Sequence, residues 1–373
     1  MISISLVRMK MVTSRIDRAL LAANWPNLRS ADHIKFQKDD VLLVCGGFED
    51  RVMSVLNIAS NSNVSDITVL DFEYAPAVEF NLFPEIRELC NKAGWNHIRI
   101  EYDRCNPSGI ASRVLENLPP DAKRLFVDIS GMSRLLIVQL IVGLLELDTT
   151  APSISILYTE AISYPPTESE AHTKLESHAN DSAAILSFIS AGVYDLAIVP
   201  ELSSVNINRA PVRLIAFPSF NPTQLLSAKS IVQPAKTTFI HGIPPNPELQ
   251  WRTNAIRTLN QITDEIESQN IKICTLDYSA CLKKLLLLYD EWAEFYNLVV
   301  SPTGSKMQTV AVGIFRSFVS DVQIVYPTPL RFTSPTAHTH GAKQVYVLDL
   351  DEFRKLRNSY ECSADVDHIE NCK

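Results

Sequence analysis

Continuous apolar runs alternate along the chain with stretches in which apolar residues recur at helical spacing. In the first half, the apolar runs predict strands at 41–47, 66–72, 96–102, 124–130 and 153–162. The helices predicted between them cover 50–59, 83–93, 108–117 and 135–147. Apolar strands separated by helices are typical of a parallel sheet covered on both faces. This half therefore predicts a Rossmann-like βαβ series.

The same alternation returns after a polar interval at about 165–205. This interval contains adjacent prolines, Pro165 and Pro166, and predicts a loop or irregular connector. Beyond it, strands are predicted at 212–220, 236–243, 271–278 and 322–330, with a strand and loop at 297–305. Helices are predicted from Pro222 onward and at 254–268 and 279–296. The second half thus predicts another α/β unit.

The two halves have nearly the same internal spacing. From Val41 to Asp128 is 128 − 41 = 87 positions, and from Val212 to Ser301 is 301 − 212 = 89 positions. We therefore predict an α/β fold with two Rossmann-like parallel-sheet domains related by internal duplication. The expected parts are an N-terminal helical extension (1–39), a first unit (40–165), a connector (166–209), a second unit (210–345) and a C-terminal tail (346–373).

The composition excludes several classes of protein. Of the 373 residues, 46% are hydrophobic and 20% are charged, which is typical of a globular chain rather than a disordered one. A net charge of −8 argues against broad binding to duplex DNA or to an anionic membrane. The apolar run at 135–147 is shorter than the roughly 20 residues that span a bilayer, and predicts a buried helix. Without a signal-peptide pattern at its start, the chain is expected to be cytoplasmic.

Neither cysteines nor histidines predict a metal site. The seven cysteines are scattered and form no CxxC pair, so most are expected to be small buried residues. His338 and His340 lie two positions apart and could chelate a metal from one face of a strand. Because no acidic residue or cysteine lies nearby, surface histidines are the favoured interpretation. We therefore assign no metal and no cofactor.

Polar loops follow two of the predicted strands at matching places in the halves. The first loop offers Ser130, Gly131, Ser133 and Arg134, and the second offers Thr303, Gly304, Ser305 and Lys306. Ligands of open parallel sheets bind beyond the carboxyl ends of the strands, where glycine, hydroxyls and a helix N-terminus favour an anion. Arg134 and Lys306 would add positive charge for phosphate. The alternative is ordinary helix capping beside solvated cations.

Other residues at the same predicted edge are candidate walls of a pocket. Gly46, Gly47 and Arg51 follow the first strand. The acidic pair between them, at positions 49 and 50, is better explained as helix-start charge. Tyr158 ends another strand and could stack on a base, although a core aromatic is the more ordinary role.

The segment 128–134, "DISGMSR", resembles the acid-x-hydroxyl-x-x-x-cation signature of the CRISPR-associated Rossmann fold (CARF) sensor domains. The second segment, "SPTGSKM" at 301–307, resembles a looser form of it. Two such units in one chain also resemble the SAVED sensors of anti-phage systems. Ser301 replaces the expected acid, and Lys306 lies one place earlier in its loop than Arg134 does.

The resemblance covers about 40–165 and 210–345 and implies two units paired about a pseudo-twofold axis around one ligand. That ligand would be a cyclic or linear oligonucleotide or a related nucleotide. Asp128, Ser130 and Arg134 would face it from one side, and Thr303, Ser305 and Lys306 from the other.

The function expected from this resemblance is a sensor that acts through a separate effector protein, since neither tail predicts an effector domain. The chain could also form homo-oligomers. Two other classes stay open. One is a nucleotide-processing enzyme, such as a metal-independent ring nuclease or phosphodiesterase, and the other is a structural subunit of a defence complex that binds no ligand. The sequence carries no G-x-S-x-G, Walker, G-x-G-x-x-G or H-E-x-x-H motif.

Overall fold

The computed structural model describes residues 20–21, 23–32, 34–47, 49–75, 81–148, 151–180, 190–191, 193, 195–205, 209–264, 268–329, 331–332 and 339–358. Within these residues the fold is mixed α/β, with one sheet of seven strands and another of five. We call the part of the molecule built on each sheet the first lobe and the second lobe. The predicted fold class, two Rossmann-like units, is confirmed.

The strands are short to medium in length and follow one another along both halves. They are β1 (Arg29–Ser30), β2 (Asp40–Cys45), β3 (Thr68–Ala75), β4 (Asn96–Asp103), β5 (Arg124–Asp128), β6 (Ser153–Ser163), β7 (Ser190–Ala191), β8 (Asp195–Ala197), β9 (Val212–Ala216), β10 (Lys236–Ile243), β11 (Ser268–Cys274), β12 (Asn297–Ser301), β13 (Gln323–Ile324), β14 (Tyr326–Thr328), β15 (Arg331–Phe332) and β16 (His340–Asp349).

Helices connect most successive strands. They are α1 (Met53–Asn61), α2 (Phe83–Ala93), α3 (Ile110–Glu116), α4 (Arg134–Leu145), α5 (Glu168–Asn180), α6 (Pro222–Val232), α7 (Trp251–Leu259), α8 (Tyr278–Trp292) and α9 (Lys306–Phe318). Residues 351–358 are also helical. Short 3₁₀ turns cover Asp50–Val52, Ile129–Gly131, Pro200–Leu202 and Pro247–Leu249.

Both sheets share one order of parallel strands. In the first lobe the order β6-β5-β2-β3-β4 is parallel throughout. In the second lobe the order β13-β12-β9-β10-β11 is likewise parallel. Each strand of one series occupies the place of its counterpart in the other, and this agrees with the internal duplication expected from the spacing. All carboxyl ends of such a series lie at one edge of the sheet.

The C-terminal part of the chain returns to the first lobe. Strand β16 pairs antiparallel with β6 from His340 opposite Ser163 to Asp349 opposite Ser155, and β1 pairs with the far side of β16. The expected boundary between 345 and 346 therefore falls inside a strand, and this strand lies in the first sheet rather than the second. Such a pairing joins residues far apart in sequence, so local patterns could not predict it.

The polar interval at 165–205 is more ordered than predicted. The loop expected there contains helix α5, which begins with Glu168 and Glu170 in its first turn, where acids are favourable. Ala171 is buried in a cluster with Phe220 and Leu259. Leu175 packs partly buried against the same cluster, and two apolar residues give too weak a pattern for a sequence-based prediction. The helix predicted at 254–268 was in turn too long, since α7 ends at Leu259.

The two lobes share a continuous apolar core. The apolar run predicted as a buried helix forms α4, which is buried along nearly its whole length and packs side by side with α9. The buried Gln139 of α4 accepts a hydrogen bond of 3.1 Å from the Tyr102 hydroxyl. Among the described residues, no helix combines the length and apolarity that crossing a membrane requires. The run is apolar because the second lobe covers it.

Replacing Gly313 of α9 with alanine should destabilise the protein. A β-carbon at this position would lie 2.8 Å from Cβ of Ile141 on α4, which is closer than two carbons pack. The added methyl group should therefore cost about 1–3 kcal/mol of unfolding free energy in urea denaturation. Glycine to alanine in a helix otherwise stabilises by roughly 0.5–1 kcal/mol, so a gain in stability would contradict the close contact.

Candidate functional site

The carboxyl ends of strands from both sheets surround one cavity of about 230 Å³, which we call the interlobe cavity. The first lobe contributes Glu49, Arg51, Arg134, Tyr158, Glu160, Tyr164 and Pro165. The second lobe contributes Pro218–Phe220, His241, Gly242, Pro244–Asn246, Leu249, Arg252, Ile256, Thr275, Leu276, Thr303–Lys306 and Gln308, and Thr339 lies beside them. In α/β sheets this edge is where ligands bind.

The predicted site residues divide into two groups around this cavity. Those that line it are Arg51, Arg134, Tyr158, Thr303, Gly304, Ser305 and Lys306. The others, Gly46, Gly47, Asp128, Ser130, Gly131 and Ser133, are not among its lining residues. The two matching loops therefore contribute unequally, because the second loop lines the cavity along its length while the first presents only its arginine.

The buried part of the first loop forms an internal hydrogen-bond network. Asp128 Oδ1 accepts from the backbone N–H of Ser130 at 2.9 Å and from its hydroxyl at 2.5 Å. The hydroxyl oxygen of Ser130 in turn accepts from the Thr159 N–H at 2.8 Å. Burial raises the pKa of the Asp128 carboxyl to about 6. These two residues thus fix the end of β5 against Thr159 within β6.

Glycines permit the close approach of this loop to β2. A side chain on Gly131 would overlap the carbonyl oxygen of Cys45. Gly47 also lies close to this loop. A β-carbon added to Gly47 would lie 3.3 Å from the Gly131 carbonyl oxygen. Both glycines therefore serve loop packing in this structure.

Serines cap the two helices that follow the loops. Ser133 Oγ accepts from the Leu136 N–H, and Ser305 Oγ accepts from the Gln308 N–H, both at 3.2 Å. In the second loop the Gln308 side chain also accepts from the Ser305 N–H at 3.0 Å, which completes a capping box. The capping interpretation of these serines agrees with the geometry.

The cations that begin the two helices bind the backbone of the opposite loop. Lys306 Nζ donates to the carbonyl oxygens of Ile129, Ser130 and Met132 at 3.0, 2.5 and 2.8 Å. Arg134 Nε donates to the Gly304 carbonyl oxygen at 3.2 Å. The lobes are therefore joined by an exchange of basic side chains. Lys306 is only 5% exposed, and burial lowers its pKa to about 7 although the Glu49 carboxylate opposes the shift.

Glu49 and Arg51 form an ion pair at the wall of the cavity. Arg51 Nε donates to Glu49 Oε2 at 2.6 Å, and its Nη1 donates to the Thr159 carbonyl oxygen at 2.9 Å. Burial tends to raise the pKa of the Glu49 carboxyl, but the charges of Arg51 and Lys306 outweigh it and lower that pKa to about 2. Glu49 makes no helix-capping hydrogen bond. Sequence analysis missed it as a site residue because an acid before a helix is usually explained by capping.

Aromatic groups and a further arginine complete the wall. Tyr158 lies beneath the Arg51 guanidinium, whose carbon is 5.5 Å from the ring centroid. Arg252 lies over the Phe220 ring at 4.5 Å and donates to the Tyr164 carbonyl oxygen at 2.7 Å. No sequence motif pointed to Phe220, Tyr164 or Arg252. Tyr164 and Phe220 lie one and four positions beyond the ends of β6 and β9, and Arg252 is the second residue of α7.

The residues described by the structure contain no group of three or more His, Cys, Asp or Glu side chains placed to hold a metal. His340 lies at the exposed start of β16, and His338 lies outside the described residues.

Comparisons with known proteins give only distant structural likenesses. No family model matches the chain, and no curated protein matches it. A type III CRISPR defence DNA nuclease activated by cyclic oligoadenylate matches with 9% identity and a TM-score of 0.43, over 77% of this chain and 65% of that one. The alignment thus spans less than two thirds of the nuclease chain. A protein of unknown function from Pseudomonas aeruginosa PAO1 matches with 7% identity and a TM-score of 0.22, over 86% of this chain and 97% of that one.

The Glu49 ion pair should make the protein sensitive to acid. Because the pKa of this carboxyl falls from 4.5 to about 2 on folding, its stabilising effect is complete above pH 4.5 and is lost as the pH falls toward 2. Wild type should therefore exceed Glu49→Gln in unfolding free energy, and this difference should shrink by about 2 kcal/mol between pH 6 and pH 3. A constant difference in denaturant titrations at both pH values would contradict the ion pair's role.

Proposed function

We propose that this chain is a CARF-type sensor that binds a cyclic or linear oligonucleotide, or a related nucleotide, in the interlobe cavity. The observation that supports this most strongly is the convergence of strand ends from two Rossmann-like sheets on one cavity containing Arg51, Arg134, Lys306 and Arg252. Cations attract phosphate groups, and the adjoining rings of Tyr158 and Phe220 suit a base. The segment 128–134 adds the resemblance to the CARF signature.

Arg134 is the residue best suited to contact a phosphate. It begins α4, where the helix dipole also favours an anion, and it lines the cavity while remaining partly exposed. Within the described part of the chain, its side chain makes one hydrogen bond, from Nε to the Gly304 carbonyl oxygen, which leaves the terminal N–H groups for bidentate contact with phosphate. Among the described residues it forms no ion pair.

The size of the cavity bears on how a longer ligand would bind. Its 230 Å³ is below the roughly 300–1,000 Å³ of typical small-molecule sites. A neighbouring groove of about 600 Å³ shares Tyr164, Pro165, Asn246 and Leu249 with its lining. An oligonucleotide would thus place one unit in the cavity and extend along this groove.

The finer parts of the proposal follow from the resemblance alone. A CARF or SAVED sensor of anti-phage defence would act in the cytoplasm and pass its signal to a separate effector protein. Ligand binding between lobes that exchange basic side chains would alter their contact, and such a change could be read by a partner.

A second candidate function is a structural subunit whose site no longer binds a ligand. It is favoured by the use of Lys306, Ser133 and Ser305 within the fold, since their polar groups already have backbone partners. A thermal-shift screen against cyclic and linear oligoadenylates and common nucleotides distinguishes the two. A sensor should be stabilised by a compound that is recovered intact, whereas consumption of the compound would indicate an enzyme and no shift at all would favour the subunit.

Arg134→Ala should weaken binding of any compound that stabilises the wild type. Loss of a charged hydrogen bond costs about 1.5–3 kcal/mol, which corresponds to a roughly 10- to 150-fold increase in Kd by calorimetry. Lys229→Ala is a matched control, because Lys229 is an exposed cation on α6 that is absent from the cavity lining. Equal affinities of wild type and Arg134→Ala would place the ligand elsewhere.

A further inference from the structure

Two buried cations meet at the carboxylate of Glu49. Arg51 contacts Glu49 Oε2 through Nε at 2.6 Å and also through Nη2, and Lys306 Nζ lies 3.9 Å from the same oxygen. Arg51 and Lys306 are 3% and 5% exposed, whereas Glu49 is 15% exposed. All three line the interlobe cavity. The carboxylate is thus the most accessible member of the group.

Glu49 has no other structural task that the described residues reveal. It makes no capping hydrogen bond at the 3₁₀ turn that follows it. The remaining partners of Arg51 and Lys306 are backbone carbonyl oxygens and the Tyr158 hydroxyl, which are neutral. Within the described part of the chain, Glu49 is the one carboxylate within 4.0 Å of either cation. It supplies the nearest negative charge to two buried cations.

We infer that the Glu49 carboxylate occupies the position of a ligand phosphate, and that a phosphate bound by Arg51 displaces it, while the buried Lys306 ammonium contributes only its charge. This inference rests on the proposed function and narrows its ligand class. Guanidinium binds carboxylate and phosphate oxygens in the same bidentate geometry, so one group can replace the other. No bond is made or broken in the exchange.

Displacement sets a charge requirement on the ligand. A phosphodiester carries one negative charge, as Glu49 does, so it gains little by replacing that carboxylate. A terminal phosphate approaches a charge of −2 and offers three acceptor oxygens. The site therefore favours a nucleotide or linear oligonucleotide with a terminal phosphate over a cyclic one that contains only diesters.

The test compares two probes of equal nucleotide number, 5′-phosphorylated linear tri-adenylate and cyclic tri-adenylate, by calorimetry. Wild type should bind the linear probe at least about tenfold more tightly, because its terminal phosphate forms the stronger charged hydrogen bonds. Glu49→Gln removes the competing charge and should bind the cyclic probe at least about tenfold more tightly than wild type does.

Glu73→Gln is the matched control. Glu73 is 17% exposed and pairs with Arg99, much as Glu49 pairs with Arg51, but it is not among the residues that line the cavity. The same change of charge there should alter affinity by less than about threefold. If Glu49→Gln does not fold, Glu49→Asp retains the charge on a shorter side chain and should give a smaller tightening.

The outcomes separate this inference from the proposed function. If wild type binds a probe and neither Glu49 variant binds more tightly, Glu49 only positions Arg51 and the inference is wrong while the sensor proposal stands. Equal tightening in Glu73→Gln would likewise overturn it, because the general change of charge would then explain the effect. If wild type and all variants bind neither probe, both proposals fall.

Discussion

The exchange of basic side chains between the two loops is the interaction on which the rest of the molecule depends. Lys306 places its ammonium among three carbonyl oxygens of the first loop, and Arg134 donates to the second loop in return. Burying an ammonium is costly unless its N–H groups are satisfied, and three acceptors match its three hydrogens. With α4 packed on α9 behind them, these contacts fix the spacing of the two sheet edges and so create the cavity between them.

The two duplicated loops differ in length by one residue, and the positions of the helix caps show which loop is longer. From the end of β5 to the cap at Ser133 is 133 − 128 = 5 positions, and from the end of β12 to the cap at Ser305 is 305 − 301 = 4 positions. Both cations are nevertheless the first residue of their helix. Lys306 therefore comes one position earlier in the sequence because the second loop is one residue shorter. The first loop accommodates its extra residue in the 3₁₀ turn at Ile129–Gly131.

Local patterns predicted the sheets well and the site in part. The strands of both lobes are apolar runs that end in polar loops, so the pattern of apolar and polar residues along the chain identifies them. The polar helix α5 and the return of β16 to the first sheet depend on packing and pairing between distant segments, which the pattern does not contain. Within the site, Arg134 and Lys306 were predicted from motif position, but their backbone partners lie about 170 residues away. Glu49 was assigned to a helix start because the sequence cannot show that it faces two buried cations.

The negative net charge of the protein and the cations of its cavity are compatible because they act over different distances. Surface charges are screened within about 8–10 Å at ordinary ionic strength, whereas buried groups interact with little screening. The net charge of −8 of the whole chain therefore discourages broad contact with polyanions, while Arg51, Arg134 and Lys306 place positive charge at the cavity. Such a distribution favours small anions that enter the cavity over long polyanions that lie across the surface. The carboxylate of Glu49 offsets part of this positive charge, because it pairs with Arg51 and lies near Lys306.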